Sequence, residues 1–598
     1  MGEQNGADMK FVDPAELSKA MTNIAERSQR IVTDFLTRQA SDSSMGMGDP
    51  LNIGEAFLQM TAKLMADPAK LVEAQINLWQ DYLSLWQSTA RRLMGEEAKP
   101  VVEAEKGDRR FKDELWEQNE VFDFIKQSYL LTSRWMQGVV NNVEGVDDQT
   151  AKKVDFYTRQ FIDAMSPSNF VATNPEVLRA TVESGGENLL KGLNHLLEDL
   201  ERGKGKLSIR MTDLDAFKVG ENIATTPGKV VYRNDLMELI QYSPTTETVH
   251  KTPLLIVPPW INKFYILDLR PKNSFIRWAV AQGHTVFVVS WVNPTEALAQ
   301  KSFEDYMKEG PLAALGAIEK ATGERQINAI GYCIGGTLLA STLAYMAVKN
   351  DDRILSATFF TTMVDFSDVG EMSVFIDEAQ LHSLEERMNS QGYLDGSEMA
   401  GTFNMLRAND LIWSFVVNNY LLGKEPFPFD LLYWNSDSTR MPAAMHSFYL
   451  RNMYLNNKLI EPGGITLDGV EIDLRKIKVP TYLISTREDH IAPWKTTFTA
   501  TQLYSGQVKF VLSASGHIAG VVNPPEAGKY CYWTNAKKVK DPDTWLKGAT
   551  QTEGSWWPDW NSWVAKTAGE MIPAREPGKG KLKALCDAPG EYVKSRLA

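Results

Sequence analysis
An apolar run, Ile327-Asn328-Ala329-Ile330, ends at Gly331. Tyr332 and Cys333 follow, then Ile334-Gly335-Gly336 and the helix-forming Thr337-Leu338-Leu339-Ala340. No other stretch constrains the fold as strongly. The order predicts a strand, a sharp turn and a helix, with a thiol at the tip. It has the form of a nucleophile elbow, G-x-S-x-G, with Cys in place of Ser. A side chain stands free at the top of such a turn only if the chain bends tightly, and glycine removes the Cβ clashes that would prevent the bend. The helix would aim its N-terminus at the sulfur, favouring a thiolate and any oxyanion formed beside it. The same residues also fit a Gly-rich turn around a buried structural Cys, so the rest of the chain has to decide.

The elbow lies in a region with one texture. Residues 230–232 and 239–242 read as a hairpin pair. Short, nearly all-apolar runs follow at 254–257, 285–290, 327–332, 355–361, 480–485 and 508–512. Runs of this kind, separated by helical stretches near 274–282 and 303–320, predict a parallel sheet covered on both faces. Between 362 and 477 the strand rhythm stops. That stretch reads as helical and aromatic (Trp413, Tyr420, Tyr433, Trp434, Phe448, Tyr449, Tyr454), as a cap inserted over the strand ends would.

Residues 1–205 read differently, as almost all helix. Asp13-Pro14-Ala15-Glu16 is a helix start, 41–50 a linker, and helices are expected at about 54–66 and from Asp67-Pro68 onward. Leu71, Trp79, Tyr82, Leu83 and Trp86 form a stripe that suits packing against other helices or a partner surface. Residues 95–110 lack periodicity and are expected to be a flexible link. The expected organisation is a helical N-terminal domain (1–205), an α/β-hydrolase core (206–361 and 478–598) and a cap (362–477).

A nucleophile needs a base and an orienting group. In a doubly wound sheet these gather in loops after the strands. The run at 480–485 leads into Arg487-Glu488-Asp489-His490, and the run at 508–512 into Ser513-Ala514-Ser515-Gly516-His517. The chain holds seven His. Of these His517 has the loop position of a base, with Asp489 preferred over Glu488 as its partner and His490 read as structural. The order Cys, Asp, His is that of the α/β-hydrolase fold. An oxyanion hole needs two backbone N–H groups. One is expected from Ile334. The other is expected from the loop Pro258-Pro259-Trp260-Ile261-Asn262, where neither Pro can donate, so from Trp260 or Ile261. Asn262, Lys263 and Tyr265 are candidate pocket residues, and Arg487 or Arg407 candidate phosphate contacts. A thiol exchanges readily with thioesters, which leans toward acyl transfer from an acyl-CoA.

Composition excludes other classes. A net charge of −13 and a pI near 5.3 argue against a nucleic-acid binder. Three Cys are too few for a disulfide framework or a zinc site. A reduced, cytoplasmic setting is expected, with neither signal peptide nor transmembrane segment.

Several of these stretches together resemble the class I polyhydroxyalkanoate synthases. The lipase-like box Gly331-Tyr332-Cys333-Ile334-Gly335-Gly336 is one. Others are Val257 to Leu269, Trp434-Asn435-Ser436-Asp437, Arg487-Glu488-Asp489-His490-Ile491-Ala492-Pro493-Trp494, Gly516 to Pro525, Gly554-Ser555-Trp556-Trp557-Pro558 and Phe122 to Tyr129. The resemblance implies polymerisation of (R)-3-hydroxyacyl-CoA, typically 3-hydroxybutyryl-CoA, with CoA released and the growing polyester held as a thioester on Cys333. His517 would deprotonate Cys333, and Asp489 would orient His517 or activate the 3-hydroxyl. The resemblance also implies a homodimer when active, a cap that gates entry, an N-terminal domain for dimer, granule-surface or phasin contacts, and neither metal nor redox cofactor. An esterase or depolymerase on the same fold, and a catalytically silent granule scaffold, are the rival readings.

Overall fold
The computed structural model describes residues 53–66 and 68–596, with a few positions between 22 and 33. The expected helix start at Asp13 and the linker at 41–50 lie outside the described residues; the positions described between 22 and 33 are helical, as expected. The chain divides into two compact units. One runs to Asp213 and includes Phe403–Phe427; the other comprises Leu214–Thr402 and the chain from Pro428.

The first unit is helical. Helices α1 (Ile53–Ala66), α2 (Pro68–Leu93), α3 (Glu120–Asn141), α4 (Asp148–Ala164), α5 (Pro175–Glu183) and α6 (Glu187–Arg202) follow one another. Side-chain caps start α3, α4 and α5: Asn119 accepts from the amides of Val121 and Phe122, Asp147 from Thr150, and Asn174 from Glu176 and Val177. Helix α2 packs one face on α3: Leu85 is fully buried beside Leu131 and Val102, and the Tyr82 hydroxyl lies 2.8 Å from Thr132 Oγ1. Residues 95–110 are not the free link expected. The amides of Val101 and Val102 both donate to Gln127 Oε1, at 2.7 and 3.2 Å, and Val102 is buried. Aperiodic sequence here means a docked extended segment.

Phe403–Phe427, read from sequence as part of the cap, belongs to this helical unit. The Tyr420 hydroxyl donates to buried Asp199 at 2.6 Å, and Asn188 Nδ2 donates to the Leu421 carbonyl at 2.7 Å. A Cβ at Gly192 would stand 1.8 Å from the Tyr420 carbonyl oxygen, so α6 accepts this segment only because residue 192 is glycine. The unit boundary falls at Asp213, eight residues past the expected 205.

The second unit is built on an eleven-stranded sheet of β1 (Gly228–Arg233), β2 (Met237–Tyr242), β3 (Leu254–Val257), β4 (Val286–Trp291), β5 (Ile327–Tyr332), β6 (Ile354–Phe360), β7 (Thr481–Thr486), β8 (Val508–Ser513), β9 (Cys531–Thr534), β10 (Thr550–Glu553) and β11 (Cys586–Asp587). The order is β10-β9-β8-β7-β6-β5-β3-β4-β2-β1-β11. The six central strands are parallel, as the apolar runs predict. Both flanks are antiparallel, so the sheet is mixed. Helices α7 (Phe275–Ala281), α8 (Ala313–Thr322) and α9 (Ile334–Val348) supply crossovers, and nearly all of α9 is buried, which explains its lack of a polar face. Helix α10 (Trp557–Val564) closes one face of the core, burying Trp557 and Trp560, with Trp556 at its cap also buried. The stretches 362–402 and 428–477 stay with this unit.

Candidate active site
Every candidate catalytic residue follows the C-terminal end of a parallel strand, so adjacent strands bring to one edge residues far apart in sequence. Cys333 links β5 to α9 with φ 52° and ψ −123°. A non-glycine residue at positive φ is strained, and such strain persists only where the surroundings enforce it. They do so here. The Cys333 amide donates to the Phe360 carbonyl at 2.8 Å, and its carbonyl accepts from Gly336 and Thr337 at 2.9 and 3.1 Å. Glycine at 335 lets the elbow touch the neighbouring loop, since a Cβ there would lie 2.3 Å from the Val257 carbonyl oxygen and 2.5 Å from that of Pro258.

His517, in the loop after β8, and Asp489, in the loop after β7, form the second part. His517 Nδ1 lies 2.7 Å from Asp489 Oδ2, and the Cys333 sulfur is near enough to the imidazole to help raise its pKa. Asp489 has little else to offer. Oδ1 accepts from the amides of Ile491 and Ala492, both at 2.9 Å, and Oδ2 also accepts from Thr486 Oγ1 at 3.1 Å. Burial works against charge on both partners. It is outweighed for His517 by Asp489 and Cys333, which push the imidazolium pKa up to about 10. It is outweighed for Asp489 by His517 and the two backbone amides, which hold the carboxyl below its usual range. Of the candidates, the structure brings His517 and Asp489 together.

Two supports were not legible in the sequence. The Tyr332 ring stacks on the His517 imidazole at 5.9 Å, and its hydroxyl donates to the His517 carbonyl at 3.3 Å. The indoles of Trp556 and Trp557 donate to the carbonyls of Gly520 and Val521, both at 2.9 Å, tying down the loop that carries His517. The aromatic motif near 556 was visible; its use as a pair of donors was not.

The loop after β3 runs alongside the elbow. Ile334 opens α9, so its amide is one of the helix's unpaired donors. Ile261 and Trp260 lie on the facing loop, held by a segment from beyond the helical insert. The Thr439 amide donates to the Ile261 carbonyl at 3.1 Å, its hydroxyl bonds the Trp260 carbonyl, and Asn262 pairs with Ser438 in a single β-bridge. On the other side Trp291 Nε1 donates to the Pro258 carbonyl at 2.8 Å.

Lys263 and Tyr265 stand in the segment after β3. Both are buried against Asp437, with Lys263 Nζ at 2.6 Å from Oδ1 and the Tyr265 hydroxyl at 2.8 Å from Oδ2. Burial pulls the Lys263 pKa down and Asp437 restores only part of it. The contacts with Asp437 tie down the loop after β3. Asn262, half-buried, stays at the loop edge. Arg487 is exposed at the end of β7, its guanidinium 5.2 Å above the Trp533 ring. Arg407 lies in the helical unit, ion-paired with Asp410. Burial, Tyr454 and the charge of Cys333 raise the Tyr449 pKa, and burial and Cys333 raise that of Tyr454; their rings lie 5.5 Å apart, with Phe366 against both. The sequence read these aromatics as cap texture without assigning them to the thiol.

A thiol on an elbow after a parallel strand, with an acid and a histidine after two later strands, is the arrangement of the α/β-hydrolase fold. Residues 260–524 match the family described as alpha/beta hydrolase fold. Residues 107–279 match the family described as poly-beta-hydroxybutyrate polymerase (PhaC) N-terminus. The chain is 50% identical over 586 residues to the poly(3-hydroxyalkanoate) polymerase subunit PhaC of Rhizobium meliloti, covering 98% of this chain and 96% of that one. It is 55% identical over 533 residues to the poly(3-hydroxyalkanoate) polymerase of Methylorubrum extorquens, covering 89% and 88%. It is 43% identical to the PhaC subunit of Cupriavidus necator, covering 92% and 93%. The chain belongs to the poly(3-hydroxyalkanoate) polymerase family.

Proposed function
We propose that this enzyme polymerises (R)-3-hydroxyacyl-CoA, with 3-hydroxybutyryl-CoA as the first substrate to test, through a thioester on Cys333. The observation that carries the reading is the bonded Asp489–His517 pair, with the elbow thiol near enough to the imidazole to help raise its pKa, in a protein of this family. His517 takes the Cys333 proton, and the sulfur attacks the thioester carbonyl. The resulting oxyanion sits between the amides of Ile334 and Ile261. The C–S bond to CoA breaks, the CoA sulfur leaves with the proton from His517, and an acyl-Cys333 thioester remains. The 3-hydroxyl of a second unit then gives its proton to His517 and attacks that thioester. An ester bond forms and the Cys333 C–S bond breaks. Asp489 orients His517 in both halves; all its recorded contacts support that role over direct activation of the hydroxyl.

Thioester-to-thioester exchange is nearly thermoneutral, so acylation stores the activation that ester formation spends. The Tyr449, Tyr454 and Phe366 cluster above the sulfur is apolar enough to keep water from intercepting the acyl group. A homodimer when active, contact with phasins and association with polyester granules in the cytoplasm are further parts of the proposal. Among the described residues no helix is long and apolar enough to cross a membrane. The test is to give the purified protein (R)-3-hydroxybutyryl-CoA. CoA release with insoluble polyester is expected. Soluble hydroxy acid as the only product would assign an esterase, and no turnover a scaffold.

A further inference from the structure
The loop after β3 is held by one platform, residues Tyr433 to Arg440. Trp434 Nε1 donates to the Lys263 carbonyl at 2.7 Å, and Asp437 takes the Lys263 ammonium and the Tyr265 hydroxyl. Ser438 pairs with Asn262, and the Thr439 hydroxyl bonds the carbonyls of Trp260 and Ile261. The platform is braced in turn from its other side, by residues 586–596. Strand β11 pairs with β1, and beyond it the buried Glu238 carboxylate accepts from the amides of Glu591 and Tyr592 at 2.9 and 3.1 Å. The Tyr592 hydroxyl donates to the Asn234 carbonyl at 2.7 Å, and Val593 is buried in the core. The chain is therefore fixed just before it reaches the platform. There Arg596 Nη2 donates to Ser436 Oγ at 2.9 Å, and the guanidinium lies 4.5 Å above the Tyr433 ring, which also meets the Phe217 ring at 5.2 Å. The Ser595 carbonyl accepts from Asn293 Nδ2 at 3.5 Å, and Asn293 Oδ1 accepts from the Arg440 amide at 3.0 Å. Both ends of the platform are thus tied to Ser595-Arg596, one directly and one through Asn293.

We propose that Arg596 is a positioning residue for the reaction: by holding the Tyr433–Arg440 platform it fixes the loop after β3 and, with it, the Ile261 amide. The inference rests on the proposed oxyanion donor at Ile261. Arg596 acts through Ser436 and Tyr433, and the residue type suits that task. A guanidinium donates in its plane while its flat face stacks on an aromatic ring, which a lysine ammonium does not do. Ser436 is set to receive it. Its hydroxyl donates to the Tyr433 carbonyl at 2.8 Å, which leaves its lone pairs for the guanidinium. The charge of Arg596 works in the opposite sense. Burial lowers the Lys263 pKa, Asp437 opposes that, and Arg596 adds to the lowering. Removing the Arg596 charge therefore eases the Lys263 ammonium. A looser loop without Arg596 has to come from the lost hold on Ser436 and Tyr433, not from a weakened ion pair.

The test uses the full chain as wild type, Arg596→Met, Arg596→Lys and Ser436→Ala, with circular dichroism melts to establish folding. Hydrogen exchange read by peptide mass spectrometry follows the amides of 260–267, and CoA release from (R)-3-hydroxybutyryl-CoA gives kcat and KM. Arg596→Met keeps the aliphatic bulk and removes the charged fork. The expected result is loop exchange several-fold faster than wild type, while β5 exchanges at the wild-type rate. With it kcat falls about tenfold, an order below the loss of a whole oxyanion donor, and KM stays within about twofold, because Arg596 acts through the loop rather than on the substrate. Arg596→Lys restores part of the rate. Ser436→Ala gives a smaller loss of the same kind, and the double variant Arg596→Met with Ser436→Ala loses less than the product of the two single effects. A folded Arg596→Met protein with wild-type loop exchange, or with faster loop exchange at wild-type kcat, overturns the proposal. Faster exchange spread evenly over the sheet overturns it too, since Arg596 would then serve stability alone. Exchange needs no substrate: a wild type that releases no CoA refutes the polymerase reading, and the exchange of 260–267 still decides whether Arg596 fixes the loop.

Discussion

Gly335→Ala tests how the elbow and the oxyanion loop depend on each other. The added Cβ would meet the carbonyl oxygens of Val257 and Pro258 at 2.3 and 2.5 Å, where ordinary contact begins near 3.4 Å. Both are backbone atoms and cannot swing aside as a side-chain tip can. Either α9 retreats or the loop does, by about 1 Å. Helix α9 is buried along nearly its whole length, so the loop is the part that gives. Its move strains the Trp291 bond to the Pro258 carbonyl and the Thr439 bonds to Trp260 and Ile261. The overpacking costs about 1–3 kcal/mol of stability. The displaced donor costs more in rate. A misplacement of 1 Å costs about 10²-fold, and loss of one oxyanion donor about 10²–10³-fold. The assay is CoA release from (R)-3-hydroxybutyryl-CoA, beside alkylation of Cys333 by a small haloacetamide, which develops no oxyanion. The expected outcome is kcat down about 10²-fold with alkylation within a few-fold of wild type. A folded Gly335→Ala protein with wild-type kcat would refute the placement of the oxyanion donor on this loop. Loss of both activities together would point to a distorted elbow instead.

Three other outcomes follow from the same geometry. Asp437→Asn leaves the Lys263 ammonium buried without its counter-ion, at a cost of about 3–5 kcal/mol; thermal melts should show that loss, and the double change Lys263→Met with Asp437→Leu should recover most of it. The His517 imidazolium is held above its ordinary value of 6.5, up to about 10, so its contribution is fully present below pH 6.5 and is lost as pH rises through about 10. The melting-temperature gap between wild type and His517→Gln should therefore shrink across that window, and a constant gap would count against the charged pair. Asp489→Asn should slow acylation and elongation alike, by on the order of 10²–10⁴-fold; a normal acylation burst followed by slow elongation would give Asp489 a direct role on the hydroxyl.

How far these features could be read from sequence depended on how local their causes are. The elbow is a local device: glycines at 331, 335 and 336 around Cys333 announce the bend. The central strands are buried on both faces and so read as apolar runs. The flanking strands β9 and β10 escaped notice for the opposite reason, since Thr550–Glu553 is exposed throughout and Cys531–Thr534 only half-buried. Lys263 read as a surface or pocket charge because its partner, Asp437, lies far along the chain. The 403–427 segment shares the aromatic texture of its neighbours, and its contacts with α6, through Tyr420 and Leu421, assign it to the helical unit. The stripe on α2 was visible, but its division into a packed face and an exposed face required the position of α3.

The central claim is that Cys333 carries the acyl chain. Acid-quenching the enzyme during turnover of (R)-3-hydroxybutyryl-CoA, followed by peptide mass spectrometry, tests it most directly. The predicted result is a 3-hydroxybutyryl or oligomeric adduct on the peptide containing Cys333, removed by neutral hydroxylamine and absent from Cys333→Ala. CoA release at the wild-type rate by Cys333→Ala, or an acyl adduct on another residue, would contradict it.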